Sequence, residues 1–191
     1  MFNKLRLMKR KSVNYPTISH HKDEDGKSTW IISIRGIIGG QELYTDVCNI
    51  LLTASEDDTV IITLNTPGGV VFTGLAIIHA MQKSRATVVT RVIGMAASCG
   101  ALIWSYGQKL EMCPFSRLMF HASSGGFMGK TRDQRDYAEV TETLMKSINQ
   151  RALTKNIITA KQFEDMFEAR QDVYLNSKDL ENNNVEFNYA S

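Results

Sequence analysis

The sequence predicts an α/β domain built on a mostly parallel sheet with flanking helices, and three features carry that prediction. Short β-branched runs such as Val60–Leu64 and Val88–Ile93 are predominantly apolar, as strands buried on both faces are. Segments with helical spacing of apolar residues separate those runs, the alternation that produces parallel strands joined by right-handed crossovers. Glycine-containing loops follow the ends of the runs, where open α/β sheets bind ligands. A chain of 191 residues is long enough for one well-buried domain and short for two.

Taken in order, residues 1–28 read as a basic, irregular N-terminal leader and residues 29–191 as the single domain. Lys4, Arg6, Lys9, Arg10 and Lys11 crowd the leader, and Asp23–Gly26 supplies turn chemistry. Trp30–Ile34 is a strand ended by Gly36. Glu42–Ala54 sets Leu43, Val47, Ile50, Leu51 and Ala54 on one helical face. Thr59–Leu64 is a strand, Phe72–Lys83 a helix, Thr87–Ile93 a strand and Ser98–Tyr106 a short small-residue helix. Leu110–Cys113 and Leu118–Phe120 are two more short strands. Thr131–Asn156 is a long amphipathic helix with Tyr137, Val140, Leu144, Ile148 and Ala152 along one stripe. Thr159 caps a further helix ending near Glu168.

Composition narrows the function classes. Apolar residues make up 43% and charged residues 22%, ordinary values for a globular protein. A net charge of +2 gives no reason to expect a nucleic-acid or membrane partner. The three cysteines, Cys48, Cys99 and Cys113, fit neither a metal-ligand spacing nor an even disulfide framework. No apolar region follows the basic N-terminus, so a secretory signal is not expected, and no run is long enough to span a bilayer. A cytoplasmic protein with reduced thiols and no metal or cofactor is the expectation.

Three loops hold the residues that could do chemistry. Asn65-Thr66-Pro67-Gly68-Gly69-Val70 lets the backbone approach a ligand closely, although a plain strand-to-helix turn is the better explanation when it is taken alone. In Gly94–Ala101, Ser98 stands among small residues at a helix start, where unpaired N–H groups favour an oxyanion. Close packing through Ala and Gly is the competing explanation there. In Phe120–Phe127, His121 ends an apolar strand before Gly125 and Gly126. His20 and His21 lie in the leader and His79 inside a helix, so His121 alone is placed like a general base. A serine needs such a base, and the base needs an orienting acid. Asp172, at the start of a short apolar strand, is the candidate, with Asp165, Glu168 and Asp179 as competitors that spacing does not reject.

Asn65–Val70, Ala96–Gly100, Leu118–Phe127 and Asp172–Ser177 together resemble the proteolytic subunit of Clp protease, in matching order and over roughly residues 30–187. The resemblance implies a crotonase-like α/β subunit that assembles into seven-membered rings stacked in pairs around a chamber. It implies a Ser98–His121–Asp172 triad, with the backbone N–H groups of Gly69 and Cys99 as the oxyanion hole. Gly68, Val70, Gly125, Gly126 and Phe127 are implied as substrate-binding, the last three opening a strand-helix handle that pairs with an extended peptide. Four departures stand out. Residues 1–29 do not resemble the family's axial loop and first helix, which puts docking of an AAA+ unfoldase in doubt. Gln171 replaces an arginine that helps couple ring contacts to the site. Ser123 replaces a proline, and Asn184 a late glycine, a change that a left-handed helix end tolerates.

The expected activity is therefore serine-type hydrolysis of unfolded polypeptides or peptides inside a homo-oligomeric chamber. The departures suggest a variant member, with phage-type capsid or scaffold maturation as one alternative. A non-catalytic ring subunit is a second alternative, and crotonase-type chemistry on a coenzyme A thioester a third. Cys99 as the nucleophile ranks well behind Ser98.

Overall fold

The computed structural model describes residues 15–122 and 131–190; the Lys4–Lys11 cluster and the Gly125–Phe127 segment lie outside the described residues. In chain order the strands are β1 (Thr17–Lys22), β2 (Ser28–Arg35), β3 (Thr59–Thr66), β4 (Thr87–Ala97), β5 (Lys109–Met112), β6 (Arg117–Phe120), β7 (Val173–Leu175) and β8 (Asn188–Tyr189). The α-helices are α1 (Thr45–Thr53), α2 (Val71–Lys83), α3 (Cys99–Ser105), α4 (Thr131–Thr154), α5 (Ala160–Glu168) and α6 (Ser177–Asn182). A 3-10 turn over Gln41–Tyr44 leads into α1, so the single expected helix is two pieces.

The sheet runs β1-β2-β3-β4-β5-β8, with β6 paired to β4 and β7. β2, β3, β4 and β5 are parallel neighbours, as the alternation of apolar strand runs and helices predicts. Ile32, Ile34, Val60, Ile62, Leu64, Val88 and Val92 are almost wholly buried. Behind them α2 lies between α1 and α3, and α3 contacts α4. Every residue of α3 is buried. Its Trp104 indole N–H donates to the Glu111 carbonyl at 3.0 Å, and the Thr90 hydroxyl donates to the Trp104 carbonyl at 2.8 Å. The small helix is thus locked to β4 and β5 at its far end.

Residues 17–22, taken from sequence as irregular leader, form β1, antiparallel to β2 through the Asp23–Gly26 turn. All six are exposed, which is why no alternating apolar signal marks them. Pairing with β2 and a stack of the His20 ring on Trp30, 4.0 Å between centroids, hold the strand in place.

Asp58 anchors the start of this layer. Its carboxylate accepts from the Ser55 hydroxyl at 2.7 Å, the Ser55 N–H at 2.9 Å and the Ser28 N–H at 2.8 Å. These bonds, the Ser55 hydroxyl's foremost, hold its pKa below the usual aspartate value. A depressed pKa stabilises the fold above the unfolded aspartate value, near 4, and that stability disappears as pH falls through the folded value. Asp58→Ala is expected to cost about 1.5–3 kcal/mol at neutral pH, the range for hydrogen bonds to a charged group. Denaturant titration at pH 7 and below pH 4 checks it, since the two proteins should converge in acid.

The long helix α4 carries the expected stripe but buries only part of it. Met145, Ile148 and Ala152 are at most 5% exposed, whereas Val140 is 67% exposed. The helix is held at its C-terminal half, where the Tyr106 hydroxyl donates to the Ile148 carbonyl at 3.2 Å. Thr159 caps α5, as the sequence predicts, and Gln162 completes a reciprocal capping box with it. Asn184 takes φ 55, the left-handed conformation that made its replacement of glycine benign.

Candidate active site

The site is assembled where β2, β3, β4 and β6 end, because parallel strands deliver their following loops to one edge of the sheet. A register shift helps. Leu64 pairs with Val92, but Thr66 pairs with Ala96, so β4 bulges over the intervening residues. Asn65 covers the bulge, its side-chain oxygen accepting from the Met95 N–H at 3.3 Å. Before the bulge β4 pairs with β5; after it, Met95–Ala97 pair with Arg117–Met119 of β6. The sheet thereby forks, and the fork brings the ends of β4 and β6 together.

Ser98 sits at the tip of β4 with φ 54 and ψ −122, a conformation that non-glycine residues rarely adopt. Such a residue costs on the order of 1–3 kcal/mol and persists only when its surroundings over-determine it. Here they do. The Ser98 N–H donates to the Met119 carbonyl at 2.7 Å, and its carbonyl accepts from the Leu102 N–H at 3.1 Å. The turn projects the hydroxyl toward β6, and Ser98 Oγ lies 2.7 Å from His121 Nε2.

Asp172 reaches the same place by a different strand. β7 pairs antiparallel with β6, with Phe120 opposite Val173. His121 directly follows β6 and Asp172 directly precedes β7, so both flank the same end of that ladder; no hydrogen bond joins the two side chains, and Asp172 is exposed. The competing acids are occupied elsewhere. Asp165 pairs with Lys161 at 3.0 Å, Glu168 with Lys146 at 3.6 Å, and Asp179 accepts from the Asn176 N–H in the cap of α6.

The glycine loop after β3 packs on the serine turn. Gly68 has φ 98, and a Cβ there would come within 2.7 Å of the Ala97 carbonyl and 2.8 Å of Ser98 Cβ. At Gly69, φ 154, a Cβ would lie 2.1 Å from the Ile38 carbonyl oxygen. The Ile38 N–H donates to the Gly68 carbonyl at 2.8 Å and the Val70 N–H to the Ile38 carbonyl at 2.9 Å. The main-chain groups of Gly68 and the N–H of Val70 are therefore spent inside the protein. Among the described residues the N–H groups of Gly69 and Cys99 have no acceptor. Ile38 was not singled out in the sequence; one of two adjacent isoleucines after Gly36 gives no signal of this bridging role.

Cys99 turns inward. It is 1% exposed, its Sγ lies 3.8 Å from the Val70 carbonyl, and a Cβ on Gly74 would collide with it. Burial pushes the thiol pKa up to about 12, so the thiolate that a nucleophile needs is absent at neutral pH. Gly125, Gly126 and Phe127 lie outside the described residues.

A forked, mostly parallel α/β sheet with a strained serine, a histidine on its hydroxyl and free N–H groups beside it is architecture of the serine-peptidase kind. The family model for Clp protease matches residues 27–182, most of the chain. The chain belongs to the Clp protease family, and its domain is of the Clp peptidase type. Among the described residues no helix is long and apolar enough to cross a membrane.

Proposed function

We propose that the protein is a serine endopeptidase that hydrolyses unfolded polypeptides or peptides by acyl transfer. The observation that carries this reading is Ser98, held at φ 54 with its Oγ 2.7 Å from His121 Nε2. In the reaction Ser98 Oγ attacks the scissile carbonyl while its proton passes to His121 Nε2. The tetrahedral oxyanion lies against the N–H groups of Gly69 and Cys99, which have no acceptor among the described residues. His121 returns the proton to the leaving amine, and the C–N bond breaks to give the Ser98 ester. Water, deprotonated by His121, then releases the acid and restores Ser98. Asp172 steadies the imidazole through Nδ1, and its position directly before β7, at the end of the ladder that His121 follows, supports that role.

Rings of seven subunits, stacked as a tetradecamer around the sites, fit the family and the exposed apolar surface. Val140 on α4 is 67% exposed and Phe115 is 93% exposed, positions that a second copy would cover. An AAA+ unfoldase has less support, because residues 1–29 do not resemble the family's axial loop and first helix.

Intact-mass analysis after treatment with a fluorophosphonate tests the reading. One adduct per chain is expected on the wild type, and none on Ser98→Ala or His121→Ala. Labelling that survives Ser98→Ala, or is absent from the assembled wild type, overturns it.

A further inference from the structure

We infer that Thr66 is a positioning residue for the oxyanion hole, an inference that rests on the peptidase reading above. Thr66 is 1% exposed at the end of β3, directly before the Pro67-Gly68-Gly69 loop. Its hydroxyl donates to the Gly36 carbonyl at 2.6 Å and accepts from the Gly68 N–H at 3.0 Å. The methyl faces α3, where a Cβ on Gly100 would come within 2.5 Å of Thr66 Cγ2. The ladder pairs Thr66 with Ala96, two residues before the nucleophile. One small side chain therefore touches the end of β2, the glycine loop and the helix that follows Ser98.

The need for a hydroxyl follows from the geometry of Gly68. Glycine leaves both of its dihedrals unrestrained, so hydrogen bonds must fix the flanking peptide planes. The plane after Gly68 contains the Gly69 N–H, and its carbonyl is held by the Ile38 N–H at 2.8 Å. In a trans peptide the N–H points opposite to the C=O, so that bond turns the Gly69 N–H away from Ile38. The plane before Gly68 is fixed at its N–H by Thr66 Oγ1. Ile38 and Thr66 together set φ and ψ of Gly68, and with them the direction of the Gly69 donor. Without the hydroxyl a buried N–H loses its acceptor, and the loop is free to rotate.

Thr66→Ser and Thr66→Ala, made in the full chain and assayed in the assembled form, isolate the hydroxyl, since both lack the methyl. Thr66→Ser is expected to keep kcat on a short peptide substrate within about 3-fold, and Thr66→Ala to lose roughly 10–100-fold with KM nearly unchanged. A peptide aldehyde, whose adduct places an oxyanion at the same donors, should weaken in parallel for Thr66→Ala alone. Thr66→Val, which keeps the volume, is the second hydroxyl-free variant should Thr66→Ala fail to fold. Equal kcat in the serine variant and a folded hydroxyl-free variant overturns the inference, as does a loss confined to KM. An inactive wild type, or an active Ser98→Ala, overturns the peptidase reading itself, and the role of Thr66 with it.

Discussion

Peptide turnover by Ser98→Ala is expected to fall by about 10⁶-fold, as in other serine-peptidase triads, with the fold intact. His121→Ala should cost about as much, and the double variant no more, because the two groups act as a unit. The 2.7 Å contact between Ser98 Oγ and His121 Nε2 is the reason: each is useless for the first step without the other. Alanine fits the turn as well as serine does, because the bonds that hold it use the Ser98 main chain, to Met119 and Leu102. The melting temperature should therefore stay within a few degrees of the wild type. The buried Cys99 thiol, with its pKa near 12, cannot replace the missing hydroxyl. Initial-rate assays on a fluorogenic peptide give the answer, and a residual rate above about a hundredth of wild type would contradict the assignment of Ser98.

Gly69→Ala is the second large effect. Its Cβ would lie 2.1 Å from the Ile38 carbonyl oxygen, a backbone atom that cannot swing aside as a side chain can. The loop must move, and the Gly69 N–H moves with it. Losing one oxyanion donor costs about 10²–10³ in kcat, and this variant should fall in that range. Stability should drop as well, by about 1–3 kcal/mol, because the Val70–Ile38 bond is strained by the same shift. The two effects separate experimentally: kcat is measured well below the melting transition, stability by urea titration. A folded Gly69→Ala enzyme with kcat within tenfold of wild type would place the oxyanion elsewhere.

Legibility in the sequence varied with the kind of signal. The central strands announced themselves because both faces are buried, leaving β-branched runs such as Val60–Leu64 with no polar alternation. Thr159 as the cap of α5 was equally plain, since it depends on local chemistry, whereas the left-handed Asn184 came from the family resemblance. β1 was invisible: all six of its residues face solvent, and only its pairing with β2 makes it a strand. The stripe on α4 was legible as a pattern but not as packing, since periodicity cannot tell which half of a helix meets the core.

The same division runs through the site. By itself the sequence determined the α/β class and the loops that hold Ser98, His121 and the Gly68–Gly69 pair, because strand ends and glycine pairs are local features. It left the acid open among Asp165, Glu168, Asp172 and Asp179, which lie on neighbouring turns of one stretch of chain. The tertiary structure supplies what spacing lacks: His121 and Asp172 flank the same end of the β6–β7 ladder, and a cap and ion pairs engage the other three. Only the tertiary structure could show the fork in β4, the Ile38 bridge and the Thr66 hydroxyl between Gly36 and Gly68. Those contacts join residues about thirty positions apart, and a distance in space of that kind leaves no trace in local sequence.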